Sequence, residues 1–149
     1  MTKEKYSKIL LAVDFLEDSQ IVVETAQDMA ELYNAELHVV HVSELLSVAY
    51  SPEGVSWGTQ IYTIEAEIRA ANKKKLGKMA VDLKIGKENC HLLDGRPSTQ
   101  IHELSKELDV DLIVMGTHGQ SGLQLLLGST ANSVLHGVCC DVLAVRIKG

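Results

Sequence analysis

Short, nearly uninterrupted apolar runs rich in β-branched residues recur along the chain, and stretches of helical spacing separate them. The runs are Ile9-Leu10-Leu11-Ala12-Val13, Leu37-His38-Val39-Val40-His41-Val42, Leu112-Ile113-Val114-Met115 and Val142-Leu143-Ala144-Val145, with a weaker fifth at Cys90-His91-Leu92-Leu93. A strand with one wet face alternates polar and apolar residues; a run that does not alternate is covered on both faces. Between the runs, Val22, Ala26, Met29, Ala30 and Tyr33 repeat at helical spacing after Asp18-Ser19, a pair suited to capping a helix start. Ile61, Ile64, Ile68 and Ala71 predict a second helix that fades around Gly77 to Leu83. Ile101, Leu104 and Leu108 predict a third, opened by Pro97 and Ser98, and Ser129 to His136 a fourth with Ala131, Val134 and Leu135 turned inward. Strands alternating with helices imply right-handed crossovers and a parallel sheet. The expected fold is an open, doubly wound α/β sandwich with five strands and helices on both faces.

At 149 residues the chain is sized for a single domain spanning 1–149, with no need of disulfides or metals to hold it. Its net charge of −6 argues against nucleic-acid binding, which needs a basic face. The one basic run, Lys73-Lys74-Lys75, stands near Glu65 and Glu67 and reads as a solvated helix face. No apolar stretch approaches the roughly 20 residues of a membrane span, and Met1 to Lys5 leads straight into a strand rather than a signal sequence, so a cytoplasmic location is expected. Cys90, Cys139 and Cys140 form no C-x-x-C pair and read as buried small hydrophobes in a reducing compartment. Adjacent Cys139 and Cys140 point to opposite sides of an extended chain, and His38 and His41 to opposite faces of a strand, so neither pair can hold one metal ion. The stretch from Ser43 to Gly58, with Pro52, Gly54 and Trp57, is the one long irregular segment; a functional loop and a plain surface excursion are both open.

Chemistry gathers at Met115-Gly116-Thr117-His118-Gly119 and Gly128-Ser129-Thr130. A strand opening into glycines and then a helix with Ser and Thr in its first turn suits a phosphate: glycine lets backbone approach the anion, and unpaired N–H groups attract it. Ligands of open parallel sheets bind beyond the carboxyl ends of the strands, where the strand order reverses. If the first and fourth strands meet there, Asp14 faces Gly116 across a crevice and can accept ribose hydroxyls; its other reading is a turn residue before the first helix. Arg96, in Gly95-Arg96-Pro97-Ser98, either meets a phosphate or sits in solvent at a strand-to-helix turn. No G-x-x-x-x-G-K-[ST] or G-x-G-x-x-G is present, and Gly119 to Gly122 around Ser121 is one residue too short for a nucleophile elbow. His118, in the glycine loop, has no evident carboxylate partner, which favours binding over acid catalysis.

Lys8-Ile9-Leu10-Leu11-Ala12-Val13-Asp14, Val39-Val40-His41-Val42, Gly95-Arg96-Pro97 and Asp109 through Gly119 to Gly128-Ser129 together resemble the universal stress protein A family over nearly the whole chain. The resemblance implies a Rossmann-like sheet of order 3-2-1-4-5, of the adenine nucleotide alpha hydrolase kind, in a usually dimeric stress-response protein. It implies ATP or AMP, with magnesium as a candidate companion, held by Ala12, Val13, Asp14, Val42, Met115, Gly116, His118, Gly119, Gly128, Ser129 and Thr130. It also implies a homodimer through the last strand, with Val142, Leu143, Val145 and Ile147 at the contact. The ATP-binding branch carries G-x-x-G, nine residues and then G-[ST]; this chain has eight, residues 120 to 127. One residue fewer turns the following helix entry by about 100° if helix absorbs the change. Three functions follow: a nucleotide-binding regulatory protein, favoured here; an interaction protein of the same fold with a degenerate pocket; and a slow hydrolase in which Thr117, His118 and Ser129 position water.

Overall fold

The computed structural model of the chain describes residues 5–15, 19–44, 58–117 and 129–147. Among them, strands β1 (Lys8–Ala12), β2 (Glu36–Ser43), β3 (Cys90–Asp94), β4 (Leu112–Gly116) and β5 (Asp141–Val145) alternate with helices α1 (Gln20–Tyr33), α2 (Gly58–Leu83), α3 (Pro97–Leu108) and α4 (Ser129–Leu135). Every pairing is parallel and the order is β3-β2-β1-β4-β5, as the sequence and its resemblance imply. Register is fixed at the amino ends: Asp111 Oδ2 accepts from the backbone N–H groups of Ser7 and Lys8 at 2.8 and 3.0 Å, which aligns β1 with β4.

The sheet is buried on both faces, which is why its central strands do not alternate. Ile9, Leu11, Val39, Leu112 and Val114 pack with Val22, Val23 and Ala26 of α1 and Leu76 and Leu83 of α2. Leu10, Val40, Ile113 and Met115 pack on the other side with Ile101 and Leu104 of α3 and Ala131 and Val134 of α4. Ile9, Leu10 and Leu11 are fully buried, each contributing about 1.5–3 kcal/mol of transfer free energy. Helices α1 and α3 end on Asn34 and Asp109 in the left-handed region, at φ 51° and 55°, where their short polar side chains are tolerated.

Three expectations need correction. Helix α2 runs unbroken through Gly77 and ends at Leu83 after 26 residues, at the far limit of the stretch where its spacing predicts fading, but its buried face is not the expected one. Its buried stripe is Asn72, Leu76, Ala80 and Leu83, whereas Ile64, Ile68 and Ala71 are exposed. The reason is length: at 1.5 Å per residue the helix is about 39 Å long, and β2 and β3 are shorter. Asn72 Nδ2 donates to Ser43 Oγ at 3.1 Å and Arg69 pairs with Asp94, the last residues of β2 and β3, so the turns before Arg69 lie beyond the sheet. Leu135, expected inside, is 40% exposed at the end of α4. Cys139, expected buried, is exposed, while Cys90 and Cys140 are half-buried and all three are free. Burial pushes the Cys140 thiol up to about 11.

His38 and His41 do lie on opposite faces. His38 Nδ1 stands 3.1 Å from His91 Nε2 on β3, with the rings stacked at 5.4 Å. Glu36 Oε1 lies 3.5 Å from His38 Nε2, an ion-pair contact when the ring is charged, but among the described residues that buried nitrogen has no hydrogen-bond partner.

Candidate functional site

The strand order reverses beside β1, which has β2 on one side and β4 on the other, so the carboxyl ends of β1 and β4 border one crevice. Ala12 ends β1, and Ala12, Val42 and Met115 pack on the α3 and α4 side of the sheet. Val13 faces the other side, and its N–H donates to the Val40 carbonyl at 2.9 Å, carrying the pairing with β2 one residue past the strand. Asp14 follows and is exposed.

The turn after Asp14 is held from several directions. Phe15 has φ 62°, a conformation that a bulky residue adopts only where its surroundings hold it. Its ring packs 4.4 Å from that of His41, and the Lys75 ammonium lies 5.8 Å above it. His41 Nδ1 bonds the Val13 carbonyl at 2.7 Å. Ser19 occupies the N-cap position of α1 but makes no side-chain cap bond; its hydroxyl donates to Asp14 Oδ1. The expected cap is thus replaced by a link to Asp14, and Asp18 lies outside the described residues.

Gly116 is the last residue of β4 rather than the first of a loop, in register with Val145. A Cβ at this position would lie 2.6 Å from Ile147 Cδ1 and 3.3 Å from Val22 Cγ2, so a side chain here requires the Ile147 terminal methyl to shift within the core. The same contact places Ile147, which lies past the end of β5 with its side chain 6% exposed and packed in the core. Val142, Leu143 and Val145 are half-buried on the strand itself. Thr117 fastens the tail that carries Ile147: its N–H donates to the Val145 carbonyl at 3.0 Å, and its hydroxyl accepts from the Ile147 N–H at 3.3 Å. Thr117 therefore anchors the backbone of this tail.

His118, Gly119, Gly128 and residues 120 to 127 between the glycines lie outside the described residues, as do Ser121 and Gly122. Ser129 begins α4, and Thr130 follows half-buried. On the far rim, the Gly95 N–H donates to the Ser43 carbonyl at 2.9 Å, and Gly95 at φ 132° makes the turn into α3. Arg96 is exposed at the N-cap of α3 without a side-chain cap bond. The structure thus brings Ala12, Val13, Asp14, Met115 and Gly116 to one edge, with Val42 on the next strand. Sequence reasoning missed Ser19, His41 and Asn72 as parts of this rim, because each is defined by a partner on another element or across a turn. Among the described residues no three His, Cys, Asp or Glu side chains gather to hold a metal ion, and no helix is long and apolar enough to cross a membrane.

Residues 5–146 match the model of the Universal stress protein family. The chain is 43% identical over 145 residues to universal stress protein A homolog 1 of Coxiella burnetii, covering 96% of this chain and 98% of that protein. The solved structure of hypothetical protein MJ0577 superposes with a TM-score of 0.80 at 24% identity, over 97% of this chain and 99% of the other. A universal stress protein solved in complex with cAMP superposes with a TM-score of 0.61 at 25% identity, over 95% of this chain and 97% of the other.

Proposed function

The chain belongs to the universal stress protein family, and from that premise we propose that it is a cytoplasmic stress-response regulator that binds ATP or AMP in the crevice between β1 and β4. The carrying observation is Asp14: an exposed carboxylate at the end of β1, beside the point where the strand order reverses, secured by the buried Ser19 hydroxyl. An ionised carboxylate accepts hydrogen bonds from ribose hydroxyls, while Ala12, Val42 and Met115 offer apolar surface to a base. The backbone beginning at Ser129, with His118, Gly119, Gly128 and Thr130, takes the phosphates in this reading. The relative bound to cAMP supports an adenine nucleotide as the ligand class. Magnesium enters bound to the phosphates and water, as that ion ordinarily does, rather than in a protein cage. Binding, with its effect on partner contacts, is the function; turnover is not required.

Calorimetry with ATP and with AMP, magnesium present, tests the proposal. Saturable binding is expected, and Asp14→Ala should weaken it at least about tenfold, the worth of a charge-assisted hydrogen bond. Absence of binding to either nucleotide would sink it. That result would favour an interaction protein with a degenerate pocket, a reading supported by the eight residues between Gly119 and Gly128 and by the close packing at Gly116.

A further inference from the structure

We infer that Ser19 is the positioning residue of the crevice: its hydroxyl fixes the Asp14 carboxylate in the orientation that meets a ribose hydroxyl. The inference rests on the reading of the crevice as an adenine nucleotide site. Serine at a helix N-cap ordinarily turns its oxygen back to the first free N–H groups of the helix. Here the N-cap residue has φ −79° and ψ −7°, makes no such bond and donates to Asp14 Oδ1 instead. The two ends of this bond differ in environment. Ser19 is 7% exposed, while Asp14 is exposed at the mouth of the crevice. A solvated aspartate samples several rotamers; one tied to a buried hydroxyl is held in place before ligand arrives, which removes an ordering cost from binding.

The surrounding contacts support the same role. Left-handed Phe15, its ring packed at a tilt against His41, turns the chain immediately after Asp14, and His41 holds the Val13 carbonyl immediately before it. The backbone of Asp14 is therefore set by contacts from β2 and α2, and Ser19 sets the side chain. A carboxylate has about four acceptor positions, so accepting the Ser19 proton is compatible with accepting ligand hydroxyls as well.

A double-mutant cycle read by calorimetry tests this, with ATP and its 2′-deoxy and 3′-deoxy analogues as probes. Ser19→Ala is expected to weaken ATP about tenfold, and the deoxy analogue that lacks the hydroxyl facing Asp14 no more than about twofold. Ser19→Thr, which keeps the hydroxyl, should stay within about twofold of the parent. In an Asp14→Ala background, Ser19→Ala should have no further effect on affinity. Equal losses for ATP and both analogues, or the same loss with Asp14 already removed, would mark Ser19 as structural and overturn the inference. Parent protein that binds ATP while Ser19→Ala binds it equally well overturns the inference alone. Parent protein that binds no nucleotide overturns the function proposed above and this inference with it.

Discussion

At the scale of single residues, Gly116 shows how one glycine supports two different arguments. In sequence it opens a phosphate loop; in the fold it makes room for Ile147 and Val22. A side chain there needs Ile147 to move inside a packed core, and overpacking of this kind costs about 1–3 kcal/mol. Gly116→Val is expected to lower the urea unfolding free energy by that amount without any nucleotide present. Ile147→Ala added to it should cost less than it does in the parent, because the two changes share one space. Unchanged stability of Gly116→Val would show that the packing against Ile147 is not what fixes this residue. Loss of nucleotide binding in Gly116→Val is therefore uninformative alone, and Asp14→Ala, at an exposed position, is the cleaner probe.

At the scale of elements, β2 and β3 join through a feature that depends on pH. Burial holds His38 below the ordinary imidazole range; Glu36 pulls it back up and Lys8 pushes it further down. Burial likewise lowers His91, the nearby His38 adds to the shift, and Glu107 of α3 opposes it. The bond between the rings also needs one nitrogen to accept, so it fails when both rings are charged. The folded state favours the neutral pair, and the unfolded chain binds protons more readily as pH drops below about 6.5. The contribution is complete above that pH and is lost as pH falls through the lowered folded values. Thermal melts from pH 7.5 to 5 should show falling Tm, with a shallower fall in His91→Gln. Equal slopes in parent and variant would remove the pair from the account. The same scale explains α2, whose helical pattern continues from the stretch packed on the sheet into turns that have no strand beneath them.

At the scale of the whole molecule, β5 closes one edge of the sheet, and an edge strand presents unpaired backbone groups. We propose that this edge pairs with a second copy along the last strand, Val142, Leu143, Val145 and Ile147, and light scattering at micromolar concentration should then give twice 16.3 kDa. A monomer mass would count against that pairing. The amino-acid sequence by itself determined the number, order and two-sided burial of the strands, because apolar runs and helical spacing are local properties that survive any arrangement. It also carried the family resemblance, and with it the strand order. Only the tertiary structure decided that Ser19 serves Asp14 instead of capping α1, that Ile147 fills the space at Gly116, that His38 stacks on His91, and that Ile64 and Ile68 stay exposed. Each of these depends on which atoms the folded backbone sets beside one another. Residue type and spacing define a side chain's chemical capacity; its partner is selected by contacts between elements distant in sequence.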